Sequence, residues 1–236
     1  MKPTLYLIPA PLGESKYTTI FPSYNLDVIN QIEHFIVENA RTARRFLSKL
    51  GIDKKLTELH FYELNKHTQP EQIAGFLAPL QQGHDLGLLS EAGTPAVADP
   101  GAEVVQRVHR IGFAIVPLVG PSSILLALMA SGLNGQSFAF NGYLPIEKNE
   151  RRQRINFYEK RSRQERQTQL FIETPYRNTL LFTDLLQNCN GNTRLCVATD
   201  LTMDSQRIQT FTIAEWQQKQ KPEMHKRPTI FLFLAQ

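Results

Sequence analysis

The 236-residue sequence predicts an α/β protein of two domains. Three observations lead to this prediction. Short apolar runs alternate with helical patterns in the first half of the chain, the connections between them are short, and the character of the sequence changes after Pro117. Such alternation is typical of a parallel sheet covered by helices. We therefore predict one α/β domain over residues 1–118 and a second over residues 119–236.

The first half contains five predicted strands separated by helices. The strands are TLYLIP (4–9), EHFIVEN (33–39), TELHFYEL (57–64), DLGLL (85–89) and FAIVPL (113–118). Helices are predicted over 41–51, 70–83 and 101–111. The first two end at Gly51 and Gly83, and glycine is the residue type that most often follows the last turn of a helix.

The second half begins with an apolar helix, residues 118–132, which ends at Gly132. Because this helix has no polar face, we expect it to be buried between layers. A strand-like segment, 136–145, and a strongly basic helix, 148–166, come next. The remaining predicted elements are a strand at 167–173, a helix at 175–188, and three strands, TRLCVATDL, RIQTFTI and RPTIFLFLA.

Composition excludes several classes of protein. No apolar run approaches the roughly 20 residues that span a bilayer, and the N-terminal segment lacks the long apolar region of a secretory signal. We therefore expect a cytoplasmic protein. Cys189 and Cys196 have neither CxxC nor zinc-knuckle spacing, and the six histidines show no ligand spacing. We predict no metal site.

The basic residues are concentrated in two segments, 40–55 and 148–166, although the net charge is only +4. Either segment could bind phosphates by displacing counterions. Both could equally be solvated helix faces held by ion pairs four residues apart.

Three loops rich in glycine, proline and small residues follow predicted strands. They are IPAPLGES (8–15), SEAGTPAVADPG (90–101) and VGPSS (119–123). Ligands of open α/β sheets bind beyond the carboxyl ends of strands, so the three loops predict one shared ligand site. The alternative is that they are only tight turns. The chain contains no G-x-G-x-x-G and no phosphate-binding G-x-x-x-x-G-K-[ST] motif.

The blocks SEAGTPAVADPG, VPLVGPSSILLALMASGL and FNGYLP, in this order, closely resemble the tetrapyrrole methylase superfamily. The branch most similar is that of the small-subunit ribosomal RNA methyltransferases, and the resemblance extends from Leu5 to about Phe233. It implies a homodimer with S-adenosylmethionine (SAM) folded into a cleft between the domains. It also implies methylation of a cytidine ribose 2′-hydroxyl in 16S ribosomal RNA.

The resemblance implies particular site residues. Glu38 and Arg41, in ENAR, are the implied catalytic residues, although the family usually has Glu-Asp-Thr-Arg there. A structural i,i+3 pair between them is the alternative. The implied cofactor contacts are Pro9, Pro11, Leu12, Gly13, Glu91, Ala92, Gly93, Thr94, Pro95, Ala98, Pro121, Ser122, Ser123, Ile172, Glu173 and Thr174. The expected substrate contacts are Tyr62, Asn65, Lys148, Arg151, Arg152 and Arg177.

Three functions remain open from the sequence. The first is a SAM-dependent RNA ribose methyltransferase. The second is a methylase of the same fold that acts on a small molecule, and the third is a non-catalytic SAM- or RNA-binding protein.

Overall fold

The computed structural model describes residues 2–65 and 67–236, and the chain forms two compact units. The N-terminal unit extends to Ser122, and the C-terminal unit runs from Ser123 to Gln236. The boundary predicted after residue 118 lies four residues before this division.

The N-terminal unit alternates strands and helices as predicted. Its elements are β1 (Thr4–Ile8), α1 (Tyr17–Ile20), α2 (Ser23–Ile29), β2 (His34–Val37), α3 (Ala40–Leu50), β3 (His60–Glu63), α4 (Pro70–Phe76), α5 (Ala78–Gln81), β4 (Leu86–Leu89), α6 (Gly101–Ile111) and β5 (Ala114–Pro117). The five strands form one sheet in the order β3-β2-β4-β1-β5. Every pairing is parallel, so all five carboxyl ends lie at one edge of the sheet.

Alternate residues of these strands face two separate apolar cores. Phe35 and Val37 of β2 pack with α2 and α3 on one face. Ile36, between them in sequence, packs on the other face with residues of α4, α5 and α6. Because helices cover both faces, the central strands β2 and β4 are buried almost throughout and are not alternately apolar and polar.

Two features of this unit differ from the sequence prediction. The helix expected over 70–83 is divided at Leu77 into α4 and α5. Pro79 lies in the first turn of α5, where its missing N–H is tolerated, whereas in a continuous helix it would remove a hydrogen bond. Helices α1 and α2 were not predicted.

The C-terminal unit contains a mixed five-stranded sheet. Its elements are α7 (Ser123–Ser131), β6 (Phe138–Phe140), α8 (Lys148–Glu165), β7 (Thr168–Ile172), α9 (Asn178–Asn188), β8 (Arg194–Thr199), β9 (Arg207–Thr212), α10 (Ile213–Gln218) and β10 (Thr229–Leu234). The strand order is β6-β7-β10-β8-β9. Strands β6 and β7 are parallel, and the other pairings are antiparallel.

One face of this sheet carries the larger core, in which Phe231, Phe233 and Trp216 are buried. Helix α7 lies near β8, β9 and β10. The prediction that α7 is buried between layers is wrong, because Leu125 and Met129 are 52% and 80% exposed. Apolar residues on every side of a helix therefore did not mean burial of every side.

Candidate functional site

The loops after β1 and β4 are joined by backbone hydrogen bonds at the carboxyl edge of the N-terminal sheet. The Ala10 N–H donates to the Gly93 carbonyl at 2.8 Å, and the Gly93 N–H donates to the Ala10 carbonyl at 2.9 Å. The Ser90 hydroxyl also donates to the Gly93 carbonyl, at 2.8 Å. The structure thus brings together two of the three loops that the sequence assigned to one site.

Two glycines allow the third loop to approach the other two. A Cβ on Gly120 would lie 2.2 Å from Cγ of Pro9, a distance that no side chain can occupy. Gly93 has φ +75°, and a Cβ there would lie 3.3 Å from Cδ2 of Leu12 and 3.7 Å from the Pro121 carbonyl oxygen. Residues 9–12, 93 and 120–121 therefore pack closely because two of them lack side chains.

Asp99 holds the long loop between β4 and α6 in shape. Its Oδ1 accepts hydrogen bonds from the N–H groups of Ala96, at 2.9 Å, and Gly101, at 2.8 Å. Ala96 and Ala98 have φ of +64° and +62°, a left-handed conformation that L residues adopt at a cost. Burial raises the pKa of Asp99, and the two backbone bonds partly offset this effect. Asp99 therefore stabilises the conformation of this loop.

Two carboxylates, Glu38 and Glu91, lie close together at the same edge. The Glu91 N–H points to Oε1 of Glu38, at 3.4 Å. Partial burial raises the pKa of Glu91, and the negative charge of Glu38 raises it further, while a hydrogen bond from Thr42 lowers it. Two carboxyl groups therefore share this edge, and the charge of Glu38 disfavours the ionisation of Glu91.

The start of α3 fixes the position of Glu38. Oδ1 of Asn39 accepts from the N–H groups of Arg41 and Thr42, at 3.0 and 3.1 Å, and caps the helix. Oε1 of Glu63 accepts from the Ala40 N–H at 2.8 Å. Among the described residues no ion pair joins Glu38 to Arg41, so the structural i,i+3 pair considered from the sequence does not form.

A cavity of about 120 Å³ opens beside Glu91. Its walls include Pro11, Thr42, Arg45, Lys49 and Glu91. Pockets that hold a whole small-molecule ligand usually measure about 300–1,000 Å³. This cavity alone therefore has the size for part of a ligand.

Tyr62 and Asn65, the expected substrate contacts of the N-terminal unit, each have a hydrogen-bond partner within the unit. The Tyr62 hydroxyl and Nδ1 of His34 are hydrogen-bonded at 3.0 Å, and His34 begins β2 at the opposite edge of the sheet. Oδ1 of Asn65 accepts from the His67 N–H at 2.9 Å and closes a turn. Both side chains have hydrogen-bond partners within the unit and are partly exposed, and their contact with the substrate stays a prediction.

The predicted cofactor residues of the C-terminal unit lie together at the carboxyl end of β7. Glu173 is buried, and its Oε1 accepts from the Thr174 N–H at 2.8 Å. Its Oε2 lies 3.0 Å from a guanidinium nitrogen of Arg177. Oε2 thus has an ion-pair partner but no hydrogen bond, while Thr174 stays exposed beside Ile172. Ser122 and Ser123 lie where the two units divide.

Arg151 does not belong to an RNA-facing surface. It is 2% exposed, and its Nε lies 2.6 Å from Oδ2 of Asp184. It also donates to the carbonyls of Pro145 and Ile146, at 3.1 and 2.5 Å. The predicted phosphate contact is therefore corrected to a buried structural ion pair. Lys148 and Arg152, its neighbours on α8, are exposed as expected.

The described residues include no group of three or more His, Cys, Asp or Glu side chains able to hold a metal ion. Within the same residues, no helix has the length and apolar character needed to cross a membrane.

Comparison with known proteins gives consistent results. Residues 4–217 match the family model described as Tetrapyrrole (Corrin/Porphyrin) Methylases. The ribosomal RNA small subunit methyltransferase I of Vibrio cholerae is 32% identical over 213 residues, which are 90% of this chain and 70% of that protein. The protein of the same name from Neisseria meningitidis serogroup A is 32% identical over 220 residues, 91% of this chain and 69% of that protein.

Solved structures share the fold. The methyltransferase CobJ superposes with a TM-score of 0.63 at 15% identity, over 98% of this chain and 93% of that chain. A cobalt precorrin-4 methyltransferase gives a TM-score of 0.62 at 14% identity, over 98% of this chain and 94% of that chain.

Proposed function

Because this chain belongs to the tetrapyrrole (corrin/porphyrin) methylase family, we propose that it transfers a methyl group from SAM to a cytidine ribose 2′-hydroxyl of small-subunit ribosomal RNA. The names of its relatives support the RNA substrate. The observation that carries the proposal is the pair Glu38–Glu91, held at the carboxyl edge of the sheet beside the joined loops. A proton acceptor at this position suits a hydroxyl substrate.

The residues at this edge fit SAM as the cofactor. SAM carries a sulfonium and an ammonium group, and the carboxylate of Glu91 supplies an opposite charge. Gly93 lets Leu12 and Pro121 pack against the loop after β4, and Pro11 and Leu12 offer apolar surface. When bound, SAM supplies an electrophilic methyl group, so the protein chiefly has to align and deprotonate the acceptor.

In the proposed reaction, Glu38 orients the ribose hydroxyl and takes its proton. Bound SAM would supply the methyl group and keep the electron pair on its sulfur, and the carboxylate of Glu38 would hold the proton that the hydroxyl loses. Positioning can lower such a barrier by roughly 7–11 kcal/mol, and a general base contributes about 10²–10⁴-fold in rate. Arg41 is exposed and would pair with a phosphate of the substrate.

Exposed cations of the C-terminal unit extend the proposed RNA contact. Lys148 and Arg152 begin α8, where the helix dipole also favours an anion. The side chain of Arg177 is 26% exposed despite its pairing with Glu173, and it keeps donors that could reach RNA. These contacts would fix the register of the strand without reading its sequence.

We further propose that the active form is a homodimer. Leu125 and Met129 are four residues apart on α7, so they share one helix face, and both are more than half exposed in the single chain. Exposed apolar side chains grouped in this way favour association.

The test is calorimetric titration with SAM followed by transfer of a tritiated methyl group to isolated 30S subunits that lack the modification. We expect binding and transfer, and we expect Glu38→Gln to keep SAM affinity while losing about 10²–10⁴-fold in rate. Glu58→Gln, an exposed acid of the same unit, is the matched control. Binding without transfer would contradict the RNA substrate and favour a small-molecule methylase or a non-catalytic binding protein.

A further inference from the structure

Helix α3 has a charge distribution that opposes its own stability. Its sequence, ARTARRFLSKL, contains four basic residues and no acid. Arg41 lies in the first turn, where the helix dipole favours negative charge. Arg41–Arg45 and Arg45–Lys49 are like-charge pairs four residues apart, and each such pair costs about 0.2–0.5 kcal/mol. A helix with these properties is more stable beside a polyanion.

The surroundings of α3 leave this charge largely uncompensated. Among the residues described by the structure, Lys49 is the only basic residue of α3 that has an acidic partner. This partner is Glu14, at 3.7 Å, and both side chains are exposed. The Arg44 guanidinium lies 4.7 Å from the ring centre of Phe61 and is thereby engaged in packing. Arg41 and Arg45 form no ion pair within this part of the chain.

The basic helix α8 is different. Arg151 pairs with Asp184 inside the unit, and Arg161 pairs with Glu165 four residues later. The helix also contains Glu150 and Glu159. Its positive charge is thus partly neutralised by its own unit, whereas α3 has, among the described residues, only the exposed pair Lys49–Glu14. Of the two basic helices, α3 is the one that contains no acidic residue and, within the described part of the chain, has no buried ion pair.

The uncompensated residues lie next to the acid pair. Arg45 and Lys49 line the cavity that Glu91 also lines, and α3 begins directly after Glu38 and its neighbour Asn39. Residues four apart on a helix are displaced by about 6 Å along its axis, a spacing comparable to that of successive phosphates in an RNA strand. Arg41, Arg45 and Lys49 therefore form a row that leads to the candidate site.

We propose that this row, Arg41–Arg45–Lys49, is a binding track for the phosphate backbone of the RNA substrate. The inference rests on the proposed RNA methyltransferase function and adds the surface that holds the strand. Phosphates on Arg45 and Lys49 position the target nucleotide so that its ribose reaches the acids, and the small cavity receives part of that nucleotide. The bound strand also removes the repulsion within α3.

The test uses the double variant Arg45→Gln/Lys49→Gln of the full chain and an unmodified 16S ribosomal RNA transcript, with affinity measured by filter binding as salt is varied. Each lost phosphate contact reduces the slope of log affinity against log salt by about 0.7 for single strands. Two contacts reduce the slope by about 1.4. The ratio of wild-type to variant affinity for the RNA should therefore fall roughly sevenfold between about 50 and 200 mM salt.

Two further variants control for net charge and for shape. Arg107→Gln/Arg110→Gln removes the same charge from α6, on the opposite face of the same sheet, and we expect the wild-type slope. Arg45→Lys/Lys49→Arg keeps both charges and should keep the slope. SAM titration of every variant should give the wild-type affinity, which shows that the unit remains folded.

If the Arg45→Gln/Lys49→Gln variant has the wild-type slope, the proposed binding track is wrong. The proposed RNA methyltransferase function would not be affected by this result. Equal losses in the α6 variant would also overturn it, because the effect would then come from net charge. If the wild-type protein binds SAM but neither binds this RNA nor methylates 30S subunits, the proposed function itself fails.

Discussion

The buried pair Arg151–Asp184 gives the sharpest test of the structure, because the sequence suggested a different role for Arg151. We consider Arg151→Met, which keeps most of the side-chain volume and removes the charge. The two side chains are 3% and 7% exposed, so solvent does not screen their interaction and the value for buried pairs applies. Breaking such a pair costs about 3–5 kcal/mol, since the partner is left as an unpaired buried charge.

The assay is urea unfolding followed by the fluorescence of Trp216. This residue is the only tryptophan in the sequence, and it is buried in the core of the same unit. Its signal therefore reports the unit that contains the ion pair. We expect Arg151→Met to lower the free energy of unfolding by about 3–5 kcal/mol.

Two controls isolate the cause. Arg152→Met alters the exposed neighbour and should change the free energy of unfolding by less than about 0.5 kcal/mol. The double variant Arg151→Met/Asp184→Leu removes both charges and should recover most of the loss, because apolar replacements of buried pairs are often neutral. An Arg151→Met protein that unfolds within about 1 kcal/mol of wild type but binds RNA poorly would refute this reasoning and restore the phosphate contact.

Three other predictions concern the acid pair, the glycine contact and the cysteines. Glu91→Gln should raise the free energy of unfolding at pH 8, because a carboxyl with a raised pKa destabilises the fold when ionised. The gain should vanish below about pH 4, where the group is protonated in both states; urea titrations across this range measure it. Gly120→Ala should weaken SAM binding measured by calorimetry, since its Cβ has no room, whereas Gly75→Ala, with open space around it, should not. Burial raises the pKa of Cys196 to about 11 and that of Cys189 further, so mass spectrometry after iodoacetamide treatment at pH 8 should find both unmodified until the protein is denatured.

Much of the fold could be predicted from local patterns. Strands β2 and β4 of the N-terminal sheet are buried on both faces, so they appear as short apolar runs. The basic helix and the strands after it also lie close to their predicted bounds. Helix α10 was missed although Thr212 and Glu215 form a capping box, a spacing that can be read from the sequence.

Features that depend on distant partners could not be predicted. Helices α1 and α2 are short and interrupted by Pro22, and they are held by contacts such as that of Tyr17 with Phe46. Arg151 finds its acid 33 positions away. Arg151 lies four residues before Ile155 and therefore on the same face of α8, and Ile155 is also buried. This spacing was the one local indication that Arg151 is buried.

The candidate site also combines features that local patterns predict with features that depend on distant partners. The loops that meet at the carboxyl edge were predicted, because parallel strands must end there together. The proximity of Glu38 and Glu91 depends on β2 and β4 being neighbours in the sheet, an order that the sequence does not state. Tyr62 lies on the face of the sheet that carries α4, where it packs against Phe76.

The place of β10 in its sheet has a consequence for biosynthesis. This strand pairs with β7 on one side and β8 on the other, so the C-terminal sheet stays in two halves until Thr229–Leu234 has emerged from the ribosome. The N-terminal sheet is complete at Pro117 and can form much earlier, because translation adds only about 5–20 residues per second. During that interval the nascent chain exposes the edges of β7 and β8, and this is the stage at which a chaperone would be needed.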